Sequence, residues 1–378
     1  MKKALLILAL FFVLSLVLVS CDGEDTKYSE GLEFTLNDDG ESYSVKSIGD
    51  CTDTDIVIPS EYNGLPVTNI GVEAFDLCTS LTSIVIPDSV TSIGRTAFYN
   101  CESLTSIAIP DSVTSIGYAA FYGCASLTSI EIPDSVTSIE GNTFSRCTSL
   151  TSIEIPDLVT SIDEGAFFYC TSLTSIVMPN SVTSIGDHVF YKCSSLESID
   201  LPSSLTYIGN GAFSNCYSLE SIEIPDSVIS IGTSAFATCT ALTSVVIGDG
   251  VTSIGYAAFD KDTFLKSIEV DVNNQYYKSI DGNLYTKDGK TLIQYAIGNE
   301  AISFIIPDSV TSIGDWAFSE CTSLASVVIP GSVTSIGKYI FHECTSLTIY
   351  CEAESQPSGW HSGWNPLNRP VVWGSKGE

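Results

Sequence analysis

Phenylalanines at Phe75, Phe98, Phe121, Phe144, Phe167, Phe190, Phe213, Phe236 and Phe259 stand 23 residues apart, and the register resumes at Phe318 and Phe341. Cysteines from Cys78 to Cys239, then Cys321 and Cys344, keep the same step, as do prolines from Pro87 to Pro225, then Pro307 and Pro330. A fixed period of this length restricts the chain to a stack of like units, because a unit so small cannot bury its own apolar face. Eleven phenylalanines mark eleven units.

The unit from Ser126 to Cys147 shows why the period suits one coil. Ile130 and Ile132 alternate with Ser129 and Glu131, the two-residue period of a half-buried strand. Pro133 has no N–H for a ladder and ends that strand, and Asp134-Ser135 turns the chain. Val136 and Ile139 point inward on the return leg, and Thr143-Phe144 with Cys147 suit one helical turn. The expected architecture is an α/β repeat solenoid: a right-handed coil with one parallel β-sheet, short helical or irregular convex segments, and one continuous core of Leu, Ile, Val, Phe and Cys.

The pattern Leu-x-x-Ile-x-Ile-Pro-x-x-Val-x-x-Ile-Gly-x-x-Ala-Phe-x-x-Cys resembles the BspA-like, or Treponema pallidum-type, class of leucine-rich repeat from about Ile56 to Tyr350. The resemblance implies a cell-surface protein without catalysis. Several members are adhesins for host matrix proteins such as fibronectin and fibrinogen, or mediate co-aggregation. Gly248 departs from the pattern where proline is due, Asp262 where cysteine is due, and Phe259 to Phe318 spans 36 residues too many.

Segments 31–55 and 351–378 flank the repeats of 56–350 and are read as caps. Leu32–Leu36, the turn Asn37–Gly40 and Tyr43–Val45 describe a hairpin, while Trp360, Trp364 and Trp373 lie among prolines at the other end. Those tryptophans suit covering the last repeat, and an alternative gives them to sugar stacking. Within the insertion, about 264–300, a hairpin around Lys287–Lys290 carries Tyr276, Tyr277, Tyr285 and Tyr295, either as a projecting binding surface or as a longer repeat packed like its neighbours.

Lys2 and Lys3 precede an uncharged run to Ser20, the order of an export signal over 1–20. Leu18-Val19-Ser20-Cys21 resembles the lipobox of bacterial lipoproteins, which implies a lipid on Cys21, a polar tether over 21–30 and attachment to the cell envelope. The formal charge of -30 becomes about -32 once Lys2 and Lys3 are removed. Nucleic acid, which needs a clustered basic face, is excluded as a partner.

His188, His342 and His361 are scattered, and no Cys-x-x-Cys, phosphate-cradling glycine loop or nucleophile elbow is present. Neither catalytic residues, a metal site nor a cofactor is expected. The ladder cysteines should be close enough to bridge, but parallel side chains favour buried thiols.

Each strand offers an outward position between its two inward ones. The candidate face consists of Glu131, Glu154, Val177, Asp200, Glu223 and Val246, with Glu197 and Glu220 in a neighbouring column. Ile305 and Val328 extend the apolar component. Like charges on neighbouring strands repel, so either solvent screens these carboxylates or a cationic partner meets them. The resulting expectation is a surface recognition protein for an extracellular protein or glycan, with a structural envelope lipoprotein and a tryptophan-tail carbohydrate module as alternatives.

Overall fold

The computed structural model describes residues 28–375 and Gly377. The export signal, Cys21 and most of the tether lie outside the described residues. The described chain is a β-solenoid of stacked coils, and no helix occurs among the described residues.

The coils build two parallel ladders, each interrupted at some coils. In the first, Ser221–Ile224 pairs with Ser244–Ile247 and that with Ser267–Val270. In the second, Ser161–Ile162, Ser184–Ile185, Tyr207–Ile208, Ser230–Ile231 and Ser253–Ile254 follow one another in register. The single sheet expected from the sequence is therefore two. The return leg supplies more than its inward Val and Ile: its Thr-Ser-Ile is extended and pairs in parallel with its neighbours. Between the ladders, the Val136 amide donates to the Pro133 carbonyl at 3.0 Å, closing the turn. The Ser135 hydroxyl donates to the Val113 carbonyl of the preceding coil at 2.6 Å, which gives the recurrent Asp-Ser-Val a structural role.

The helical turn expected at Thr143-Phe144 is absent, for a reason visible in its hydrogen bonds. Amides of Asn142, Phe144 and Arg146 donate to Glu164, Ala166 and Phe168 of the next coil at 2.9, 2.8 and 2.7 Å, while those of Thr143, Ser145 and Cys147 close three-residue turns. Every second donor thus points along the solenoid axis, which the i to i−4 pattern of a helix forbids. The alternation puts Asn142 at φ 56° and Arg146 at φ 61°. The residues two before and two after each of the eleven ladder phenylalanines share this left-handed conformation, Glu73 and Leu77 at one end and Tyr339 and Glu343 at the other. A left-handed residue other than glycine costs roughly 1–2 kcal/mol, so the inter-coil bonds and the packing they permit must outweigh it.

What they permit is a column of parallel rings. From Phe75 to Phe259 successive phenylalanine centroids are 5.1 to 5.7 Å apart, and the rings are fully buried. Beside them the cysteines form a second column of free, buried thiols. Around both columns, isoleucines, leucines and valines complete the interior.

The ends and the irregular coil are closed by specific devices. Glu33–Leu36 and Tyr43–Ser47 form an antiparallel hairpin that leads into the second ladder through Leu65–Ile70. The extra residues of the first unit make a small hairpin, with Asn63 and Gly64 at φ 51° and 77°. At the far end, Trp364 stands 23 residues beyond Phe341 and packs edge-on against it at 6.1 Å. The Trp360 indole donates to the Val333 carbonyl at 3.1 Å.

The segment between Phe259 and Phe318 forms three antiparallel strands, Tyr277–Ile280, Asn283–Thr286 and Thr291–Gln294, the last continuing parallel into Ser312–Ile313. Tyr295 takes the place of a ladder phenylalanine. It stacks on Phe318 at 5.1 Å, and its amide donates to Ala317 at 2.8 Å, as the phenylalanine amides do elsewhere.

Candidate binding faces

The first ladder places Glu131, Glu154, Val177, Glu197, Asp200, Glu220, Glu223 and Val246 in solvent. Their positions follow from the strand period, because the isoleucines on either side are held in the core. The Cα register brings Glu154 beside Val177 and aligns Glu223, Val246 and Glu269. Val328 leaves this face: it pairs with Tyr350, Gly377 lies against it, and it is buried.

Where Gly248 replaces the proline, the ring that would fill the strand end is missing. A groove of about 460 Å³ lies there, flanked by Glu223, Asp226, Glu269 and Asp271 and floored by Val246, Ile247 and Val270. None of these carboxylates joins an ion pair among the described residues. No lysine or arginine occurs in the sequence between Lys192 and Lys261 to supply one. Among the described residues no three His, Cys, Asp or Glu side chains converge as a metal ion would require.

The tyrosines of the insertion do not form one surface. Tyr276 is exposed and Tyr277 half-buried, but Tyr285 and Tyr295 are fully buried. Burial pushes the Tyr285 phenol up to about 12 and the Tyr295 phenol higher still. They read as surface because tyrosine is amphipathic; in the fold Tyr295 takes a rung of the phenylalanine column and Tyr285 is buried in the interior. The tail tryptophans lie as covering the last repeat requires, not as the sugar-stacking alternative does. Trp360 and Trp364 are each 5 % exposed and pack on Trp373, leaving no open ring pair for a sugar to stack upon.

From residue 47 to 260 the only cations are Arg95, Arg146 and Lys192. All three lie beside the turns that carry the ladder phenylalanines, over tyrosine rings. Arg95 is 5.0 Å from Tyr118, Arg146 5.5 Å from Tyr169, and Lys192 4.6 Å from Tyr169. The signal was available: each cation falls at the same distance from a ladder phenylalanine as its aromatic partner one coil away, or one turn removed.

Residues 68–194, 160–285 and 295–356 match the BspA type leucine-rich repeat region, in six copies. The chain belongs to the BspA-type leucine-rich-repeat family. A leucine-rich cell surface protein from Faecalibacterium prausnitzii is 30% identical, with 95% of this chain covered, 100% of that one, and a TM-score of 0.59. A leucine-rich repeat protein from Bacteroides ovatus is 24% identical over 92% of this chain and 100% of the other, with a TM-score of 0.56, and shares the fold. The Treponema pallidum leucine-rich repeat protein is 33% identical over 50% of this chain and 88% of its own, at a TM-score of 0.47. None of the curated proteins matches. Leucine-rich repeats of this family are typically binding scaffolds, and the similar proteins include bacterial cell-surface proteins.

Proposed function

We propose that this BspA-type protein is a lipid-anchored surface adhesin whose first ladder binds a basic patch on an extracellular protein, a host matrix protein being the favoured class. The observation that carries the reading is the pairing of unneutralised carboxylates with exposed valines along one regular face, most densely at the Gly248 groove. Apolar contact supplies affinity, and the carboxylates select for cations. A flat ladder with a fixed pitch presents these groups on rigid strands, so little conformational entropy is lost on binding.

The test is a binding screen of the mature protein against fibronectin, fibrinogen and a set of glycans. It is repeated with Glu131, Glu154, Asp200 and Glu223 all changed to Gln. Saturable protein binding that weakens in the variant and with rising salt supports the reading. Undiminished binding in the variant removes this face, and binding to glycans alone removes the protein partner. Membrane attachment is tested separately: Cys21→Ala should release the protein from the membrane fraction, and retention there would overturn lipidation.

A further inference from the structure

Four continuities of the solenoid stop at one place. The phenylalanine column ends at Phe259 and restarts with Tyr295 on Phe318. The first ladder ends at Ser267–Val270 and restarts at Ser303–Ile305, which pairs forward with Ser326–Ile329. The second ends at Ser253–Ile254 and restarts in the strands that lead to Thr291–Gln294. The apolar interior divides as well, one cluster running from Leu32 to Leu284 and another from Tyr285 to Trp364. Strand pairing also lapses elsewhere, as between Ile116 and Ile139, but there Phe121 stacks on Phe144 at 5.7 Å and the interior is unbroken.

The groups at this seam are the wrong ones for tight coupling. Asp262 sits fully buried in the cysteine column. One of its oxygens accepts the Cys239 amide at 2.8 Å, and Oδ2 has no partner. Beside it the Asp260 carboxyl is buried with only the Ser319 hydroxyl facing it from across the break, and Nδ1 of His342 is buried without a hydrogen bond. The contacts that cross run through the irregular segment, where Tyr277 and Lys278 pair with Thr286 and Tyr285, Leu284 pairs with Gln294 and Ile293 packs on the first cluster; the others are polar. Lys261 meets Glu320 at 3.3 Å, the Trp316 indole donates to the Tyr256 hydroxyl, and the Gly298 amide donates to Leu265 at 2.8 Å.

In a stack where stability resides in nearest-neighbour interfaces, a poor interface divides the array into separately cooperative parts. We propose that the rod is two such bodies, one ending near Leu284 and one beginning at Tyr285, and that the smaller C-terminal body opens first. It holds the rungs Tyr295, Phe318, Phe341 and Trp364, against nine phenylalanine rungs in the other. The distal end can therefore yield while the body that carries the acidic face stays folded.

All four tryptophans, Trp316, Trp360, Trp364 and Trp373, belong to the smaller body, which makes the test direct. Urea unfolding of the full mature chain is followed by tryptophan fluorescence and by far-ultraviolet circular dichroism. The fluorescence transition is expected at lower urea, with dichroism showing two steps. Native-state hydrogen exchange gives an independent reading: the Phe318 amide, bonded to Ile340 at 3.0 Å, should be protected roughly tenfold less or worse than the Phe121 amide, bonded to Thr143 at 2.9 Å. Coincident transitions, or equal protection of the two amides, would overturn the proposal.

Discussion

The Cys147 thiol donates to the carbonyl of Phe121, 26 residues earlier and one coil below, at 3.2 Å. The same bond recurs from Cys101 to Phe75 and at successive coils as far as Cys239 to Phe213. Cysteine is thus the residue small enough for the column and still able to donate to a carbonyl facing it. Burial raises these thiols above their ordinary 9.0, Cys78 to about 11 and Cys351 to about 12. A raised acid holds its proton more tightly when folded, so its stabilising contribution is complete below about pH 9 and is lost as pH rises through the folded value. Urea midpoints should be flat with respect to the thiols up to about pH 9 and fall steeply above it. Thiol titration of the native protein at pH 8 should read near zero and reach the full count only after denaturation; substantial native reaction would contradict the packing.

Phe167 lies between Phe144 at 5.5 Å and Phe190 at 5.6 Å and is fully buried. Phe167→Ala should cost roughly 3–5 kcal/mol, since both ring contacts and the filled volume are lost. A chemical denaturation series measures it, and a loss below about 1 kcal/mol would show that the column relaxes around the gap.

Thr238 is a β-branched residue held at φ 67°, where three other coils place Gly123, Gly165 or Gly211 at one of the two left-handed positions. Thr238→Gly should therefore stabilise the protein by about 1 kcal/mol, the relief of strain exceeding glycine's added unfolded-state entropy. Thermal melts decide; a lower melting temperature would mean that the threonine side chain supplies more than the strain removes.

Asp262 is raised well above the usual carboxylate range by burial, opposed by the hydrogen bond from the Cys239 amide. The linkage sign is that of any acid raised by folding: its stability contribution is present below about 3.8 and is lost as pH climbs. Asp262→Cys restores the column's residue and should gain about 1–3 kcal/mol at pH 8, with a smaller gain at pH 4. An equal gain at both values would show that ionisation is not the cause.

Glu131 and Glu154, like Asp200 and Glu223, stand one coil apart on the outward face, where like charges are expected to repel. Changing Glu131, Glu154, Asp200 and Glu223 together to Gln should raise the melting temperature at low ionic strength, with the difference shrinking as salt is added. A salt-independent difference would point to altered packing instead of charge.

The coil itself was legible because its signals are local. Ile130 and Ile132 two apart and Phe144 returning every 23 residues each name their own position, and the structure buries all three. The outward face was legible for the same reason: once the isoleucines face in, Glu131 and Val246 must face out. The convex segment was not. Around Phe144 the spacing suits a helical turn, yet the donors of Asn142, Phe144 and Arg146 go to a coil that local spacing cannot represent. Tyr285 and Tyr295 failed in the same way, since nothing near them in sequence shows that they complete a column begun elsewhere.

The sequence by itself determined the repeat, the period and which residues face in, because these depend on interactions within one coil and on its copying. The tertiary structure decided what happens between coils: two ladders instead of one, left-handed turns instead of a helix, buried insertion tyrosines, and a seam at Asp262. Those features depend on hydrogen bonds and ring contacts between residues that in most coils are 22 to 26 positions apart, and on how an irregular segment is fitted between regular neighbours.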